Sequence, residues 1–446
     1  MSASPSAASL SDAAVERVWD AVQRGEQSIL VNSPPGAGKS TLVRRIALRY
    51  AATGKRVPVI AQTNAQADDL TLGLAQDAAA RPGKTLQIGR LLSQSYTPPA
   101  DFARSPNIVA DTNLDNLKAC RVIVTTAKKI AWMRKPVQWG LAIIDEAYQM
   151  RSDDLLSIGY RVDRLLMVGD PGQLAPFTRA EEALFRKGKL PLITDAATTI
   201  LTSRPDTPVI QLPVSWRLDA RSADVVSDAF YAVPFEGARG PAERRLYAQE
   251  LHRTPERKAV HMAGLHGWAS IELPQAFMPV VDDDVVTTIA EVIRSLLTDT
   301  SVLVDESGER SMAQQGTIAV GVVQTAQRAA VQEAVSAVCV ELGHTPDRVT
   351  IDTANRLQGR EFDVMVVWHP LSGRRDATEF HLDAGRLCVL LSRHKHCCIV
   401  VSRAGIREQL EGSPRAADRW VNEHAVRLDG TRAHLRILEN LEGHSV

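Results

Sequence analysis

Short apolar runs recur along the first half of the chain, each closing on polar or glycine residues: SILVN (28–32), RVPVIAQT (56–63), RVIVTT (121–126), LAIID (141–145) and RLLMVGD (164–170). They are rich in Val and Ile and apolar at consecutive positions, which is the pattern of strands buried on both faces of a parallel sheet. Helical patterns lie between several of them, at 40–52 and 65–80. The second half repeats the scheme, with strand-like TIAVGVV (317–323), VTIDTA (349–354), DVMVVW (363–368) and HCCIVVS (396–402) and helical patterns at 325–342 and 404–411. A linker rich in Pro and Thr, SRPDTPVIQLPVS (203–215), separates the halves. The expected fold is therefore α/β, with two tandem domains, 1–206 and 207–446, each a mainly parallel sheet flanked by helices.

Two segments fit neither scheme. Residues 84–120 carry Pro98, Pro99 and Pro106 and few periodic apolar positions, and 237–267 hold Arg239, Arg244, Arg245, Arg253, Arg257 and Lys258 against three Glu. Both read as insertions or long surface connections, the second as a basic one whose plain reading is a solvated loop.

Composition narrows the classes. The chain has 446 residues, and Lys plus Arg equals Asp plus Glu at 52 each. A nucleic-acid partner is thus not announced by a basic surplus, and any such contact must be local. No apolar run approaches the ~20 residues that span a bilayer, and the N-terminus lacks the features of a secretory signal. The five cysteines, Cys120, Cys339, Cys388, Cys397 and Cys398, form no CxxC pair, which fits a reducing cytoplasm. In His394-Lys395-His396-Cys397-Cys398 neighbouring side chains on a strand point to opposite faces, which disfavours a metal site.

The sharpest chemistry lies in SILVNSPPGAGKST, a strand, a Gly-rich turn and a helix start. That order is a P-loop. Gly36 and Gly38 let backbone N–H groups face phosphate oxygens, and Pro35, Ala37 and Thr41 complete the cradle. Lys39 is expected on the β and γ phosphates of ATP, Ser40 on Mg²⁺, and the helix N-terminus adds its dipole. Ser33 stands where the motif commonly opens with glycine. In LAIIDEAY, Asp145 emerges at the C-terminal end of a strand, where open α/β sheets bind ligands, and is a second Mg²⁺ candidate. Glu146 is then the candidate base for the attacking water.

With these residues in place the chain resembles superfamily 1 helicases, nearest the branch of the nonsense-mediated-decay helicase. The resemblance runs from about residue 15 to about residue 403 in motif order: PPGAGKST, AQTNAQADDL (61–70), VTTAKK (124–129), DEAY, GDPGQL (169–174), VSWRLD (214–219), AQRAAVQ (326–332), TANRLQGREFD (353–363) and GRLCVLLSRHK (385–395). It implies two RecA-like domains and an ATP hydrolase that moves, in the 5′ to 3′ direction, on a DNA or RNA strand. By the same resemblance Gln173 senses the γ-phosphate, Arg217 and Arg393 serve as arginine fingers, and Glu361 touches the nucleotide. Trp216 stacks on adenine or is a core aromatic. Cys388, Leu390, Ser392 and His394 stand where the family commonly has Asn, Ala, Thr and Ala, and only 84–120 leaves room for a remnant of the accessory barrel. The single strand is expected along polar groups at strand ends: Thr63, Asn64, Thr126, Thr353, Arg356 and Gln358, which suit phosphates and sugars rather than bases. Asn64 has a second reading as a helix N-cap. Two other classes stay open: an ATP-switched clamp for a strand or a protein, and a P-loop kinase, which would leave QGRE and the late arginine motif unexplained.

Overall fold

The apolar runs become strands because their side chains pack against helices on both sheet faces. The computed structural model describes the chain apart from residues 1–4, 82–85, 135, 175, 177–193, 242, 249–253, 279, 299–300, 313–316, 414–417 and 422; Arg253 of the basic segment lies outside the described residues. The chain divides into two units, the second of which takes Gly172–Leu174, Val214–Trp420 and Ala425–Val446.

The first unit runs α1 (Ala7–Arg24), β1 (Ser28–Asn32), α2 (Lys39–Ala52), β2 (Val57–Ala61), α3 (Asn64–Ala79), β3 (Ile88–Leu91), β4 (Ile108–Asp111), β5 (Val122–Thr126), α4 (Ala127–Ala131), β6 (Ala142–Asp145), α5 (Ser152–Gly159), β7 (Leu165–Gly169), α6 (Ala196–Ser203) and β8 (Val209–Gln211). Its eight strands are ordered β4-β3-β5-β2-β6-β7-β1-β8, with every described pairing parallel. All C-terminal strand ends therefore share one edge, and the P-loop after β1 and the acids after β6 flank the end of β7.

Two segments differ from the sequence expectation. Residues 88–91 and 108–111, inside the stretch read as an insertion, are strands of this same sheet. The pattern hid β3 because Arg90 interrupts it, yet Arg90 is 0% exposed. Its Nε donates to Asp68 Oδ1 at 2.8 Å and its NH2 to Asn64 Oδ1 at 2.9 Å, which satisfies the buried charge. Likewise Val209–Gln211, read as linker, pairs with β1; it is an edge strand flanked by Pro208 and Pro213, where proline is tolerated.

The second unit runs β9 (Val214–Asp219), α7 (Ala220–Phe230), β10 (Glu236–Arg239), β11 (Arg245–Ala248), α8 (Pro255–His266), β12 (Trp268–Leu273), α9 (Asp283–Leu297), β13 (Ser301–Val304), β14 (Arg310–Met312), β15 (Ile318–Val322), α10 (Thr325–Glu341), β16 (Thr350–Thr353), α11 (Ala354–Leu357), β17 (Phe362–Trp368), α12 (Glu379–Leu382), α13 (Ala384–Leu391), β18 (His394–Arg403), α14 (Ile406–Glu411) and α15 (Gly430–Glu442). Its central sheet, β12-β18-β17-β15-β16, is parallel throughout. The basic segment 237–267 is not a solvated loop. It supplies β11, part of a small antiparallel sheet with β13 and β14. It also supplies α8, whose Ala259, Val260 and Ala263 join the core. Thr254 caps α8, Pro255 follows at the position where a missing N–H costs nothing, and the charged residues take the outer face.

His394 and His396 are both drawn into the interior of the second unit, His394 Nε2 lying 2.9 Å from Ser222 Oγ and His396 Nε2 3.0 Å from the Val304 carbonyl. Burial pushes the His394 imidazole down to about 3, so it stays neutral.

Candidate active site

The turn between β1 and α2 has φ of +71° at Gly36 and +81° at Gly38. A side chain would strain either position, so glycine is what lets this backbone curl. Lys39 opens α2 and pairs with Glu146 across the end of β7. Burial pushes the Lys39 ammonium down, but the carboxylates of Glu146, Asp145 and Asp170 outweigh it and hold it above its ordinary value. Asp145 closes β6, its Oδ1 accepting from the Glu146 N–H at 3.0 Å and its carbonyl accepting from Gln62 Nε2 at 3.0 Å. Burial pushes the Asp145 carboxyl up to about 6, against the pull of Lys39.

Glu146 has φ of +57°, a left-handed conformation that costs a non-glycine residue about 1–3 kcal/mol. The strained turn directs the carboxylate at Lys39 instead of along the strand. Tyr148 supports the turn from below, its hydroxyl donating to Asn32 Oδ1 at 2.7 Å. Asp170, Gln62 and Tyr148 were not singled out from the sequence. Asp170 had a signal, as the acid of GDPGQL at the end of β7; the other two act through the fold.

One partly buried lysine thus faces three buried carboxylates, an excess of negative charge that invites a cation. The donors are hard oxygens, which suits Mg²⁺ held by one or two protein groups plus waters and phosphates. Asp145 and the exposed Ser40 hydroxyl are the residues that would hold it; Pro35, Ala37 and Thr41 lie along the same turn.

In the second unit Arg217, on β9, donates to Glu361 Oε1 from Nε at 3.0 Å and from NH2 at 2.8 Å, and to the Ser392 carbonyl from NH1 at 3.0 Å. Burial pushes Glu361 up, but Arg217, Lys395 and Arg393 outweigh it and hold its carboxyl below the usual range. Arg393 is 1% exposed and donates to the Val389 carbonyl at 3.3 Å and to Ser392 Oγ at 3.2 Å. Trp216 is half-buried on the same strand as Arg217. Gln173 groups with this unit, its Oε1 accepting from Gln358 Nε2 at 3.2 Å.

Thr63, Asn64, Thr126 and Thr353 sit at C-terminal strand ends, while Arg356 lies on α11 and Gln358 just after it. Thr63, not Asn64, is the N-cap of α3, in a capping box with Gln66. Asn64 instead accepts from Arg90. Thr126 caps α4 through the Lys129 N–H at 3.3 Å and is the register partner of Ala61. Thr353 precedes α11 without a side-chain capping bond, and Arg356 is 68% exposed, 3.9 Å from Asp352. No described helix is long and apolar enough to cross a membrane.

Fold and site define a P-loop nucleoside triphosphatase with two RecA-like domains. Residues 10–186 match one family described as an AAA domain, and residues 197–405 match a second family of the same description. Each half thus matches an AAA-domain family, and with the motif order above these matches support a superfamily 1 helicase-type ATPase. A stretch of 171 residues is 27% identical to the Saccharomyces cerevisiae DNA replication ATP-dependent helicase/nuclease DNA2, covering 37% of this chain and 11% of that protein. Among solved structures, the DUF1998 helicase MrfA bound to DNA is similar at a TM-score of 0.49 and 10% identity, covering 89% of this chain and 49% of that one. Arterivirus nonstructural protein 10, a helicase solved with DNA, is similar at 0.43 and 16%, covering 86% and 63%. The chain spans only part of the length of each of these proteins.

Proposed function

We propose that this chain hydrolyses ATP in the presence of Mg²⁺ and uses the reaction to move along a single nucleic-acid strand. The observation that carries the reading is the Lys39–Glu146 pair beside Asp145, in a strained turn at the sheet edge. Arriving ATP offers Lys39 a stronger partner in its β and γ phosphates. Lys39 then leaves Glu146, whose freed carboxylate takes the proton of the attacking water. Mg²⁺, when bound by Ser40 and Asp145, neutralises charge on the phosphates. Arg217 and Arg393 supply the remaining positive charge, which for arginine fingers is worth about 10³–10⁵ in rate. For Arg217 this requires release from Glu361. Gln173, bonded to Gln358 in the arginine-bearing unit, is suited to relay the state of the γ-phosphate, and Trp216 to stack on the base.

Thr63, Asn64, Thr126, Thr353, Arg356 and Gln358 grip sugars and phosphates of the strand without reading bases. The branch of the nonsense-mediated-decay helicase, 5′ to 3′ movement and a cytoplasmic setting belong to this reading. The name of the yeast relative makes DNA the first strand to try, with RNA beside it. The test is ATP-driven displacement of streptavidin from strands biotinylated at one end. Displacement from the 3′ end, dependent on hydrolysis, is expected; none from either end would refute movement.

A further inference from the structure

The central sheet of the second unit has a cavity at the edge where the strand-track residues lie. Its volume is about 300 Å³, at the lower end of small-ligand sites. The walls are the loops after β12, β17 and β18, which contribute Gln275, Phe277, Arg374, Arg375 and Gly405, and α14, which contributes Gln409. Because the sheet is parallel, these loops emerge at the same edge as Thr353 after β16. From β16 to β18 is three strand spacings, roughly 14 Å.

The chemistry of the wall is specific. Phe277 is 45% exposed, and the Arg375 guanidinium lies over its ring at 4.4 Å from the centroid. Arg375 has no carboxylate partner among the described residues, whereas Arg374 donates to Asp376 at 2.8 Å. Gln409 Nε2 is buried and meets no acceptor among the described residues. The Gln409 side chain thus closes the wall without exposing its amide nitrogen to the cavity. Gly405, at φ of +95°, lets Gln275 approach to where a Cβ would lie 2.5 Å from its Nε2.

The walls are fixed in advance. Buried Arg403 donates to both oxygens of Asp282 at 2.6 and 2.7 Å, to Asp284 at 2.6 Å and to the Pro274 carbonyl at 3.0 Å. The Met278 N–H donates to the Gly373 carbonyl at 2.8 Å. Asp282 and Asp284 are engaged by Arg403 and Asp376 by Arg374, and Arg375 is left to face a ligand.

We infer that this cavity seats one nucleotide unit of the bound strand, its base stacked on the Phe277–Arg375 pair and its phosphate facing Arg375. An aromatic ring beside a guanidinium is how proteins hold single strands without sequence preference. The inference rests on the strand-binding reading above and extends its track from β16 toward β12.

The test measures binding of oligothymidylate and oligouridylate of about 16 nucleotides, and of AMP as the free-nucleotide probe, to the full chain. Phe277→Ala, Phe277→Trp and Arg375→Ala are compared with wild type, with melting temperature as a check on folding. Phe277→Ala is expected to weaken strand binding about tenfold, Phe277→Trp to restore it, and Arg375→Ala to weaken it and flatten its salt dependence. Replacing the bases by abasic sites is expected to erase the Phe277 effect and leave the Arg375 effect. Strand binding unchanged in all three variants would overturn the inference while leaving the proposed function intact. Absence of strand binding by wild type would overturn both. A loss seen with AMP but with neither strand would overturn the strand as the source of the nucleotide.

Discussion

In the first unit a partly buried lysine sits among the buried carboxylates of Glu146, Asp145 and Asp170. In the second, the cations of Arg217, Arg393 and Lys395 act on the single carboxylate of Glu361. The two regions have opposite imbalances. The first has more carboxylates than cations, and the second has more cations than carboxylates. Their resting states differ as well. Lys39 pairs with Glu146 where the Gly-rich turn enters α2, which under the proposed mechanism lets ATP replace that partner directly. Arg217 is bonded within its own unit through three hydrogen bonds, and Arg393 is covered by α13. Under the proposed mechanism the first region responds to nucleotide directly, and the second acts only once its internal bonds are broken.

The largest expected effect tests that second step. Arg217→Gln is predicted to lower ATP turnover by about 10³ or more while a fluorescent ATP analogue still binds. Turnover within a few-fold of wild type would mean that the Arg217–Glu361 pair is purely structural. Next comes the first region. Glu146→Gln should keep nucleotide affinity and lose about 10²–10⁴ in turnover, whereas Lys39→Ala should lose the affinity itself. Normal hydrolysis by Glu146→Gln would assign the base elsewhere.

A smaller effect follows from Asp145. Its folded carboxyl titrates at about 6, above its ordinary 3.8. A raised carboxyl binds more protons in the folded than in the unfolded state between those values. The chain therefore loses stability as pH rises from about 4 to about 6, by about 3 kcal/mol at most. Without nucleotide or Mg²⁺, Asp145→Asn should raise the melting temperature at pH 7 and leave it nearly unchanged at pH 4. Equal shifts at both values would show that burial of this charge is not what strains the site. The smallest effect separates capping from strand contact. Thr63→Ala should cost about 1 kcal/mol of stability through the lost cap. Arg356→Ala should leave stability unchanged and reduce the salt slope of strand binding by about 1. An unchanged slope would remove Arg356 from the track.

What the sequence made legible follows from where chemistry meets pattern. Asp145 closes an apolar strand, Glu146 follows it, and Lys39 stands one Gly-rich turn beyond another, so the parallel sheet brings them to one edge. β3 was hidden because its Arg90 looks solvent-facing until its partners, Asp68 and Asn64, are known, and those lie on α3. The cap of α3 fell one residue earlier than Asn64, a shift that pattern does not resolve. α8 was masked by its outward charges. The Phe277 cavity is built from three loops separated by many residues, and no local spacing relates them. Gln62 and Tyr148 are invisible for the same reason, since their contacts with Asp145 and Asn32 cross the sheet.

The most direct test of the account is steady-state ATP turnover by the full chain, with Mg²⁺, in the absence of nucleic acid and with single-stranded DNA, single-stranded RNA or duplex. Turnover that is low alone and rises at least several-fold with a single strand is the predicted result. Turnover that no strand alters would contradict a strand-driven motor and favour a clamp switched by ATP alone.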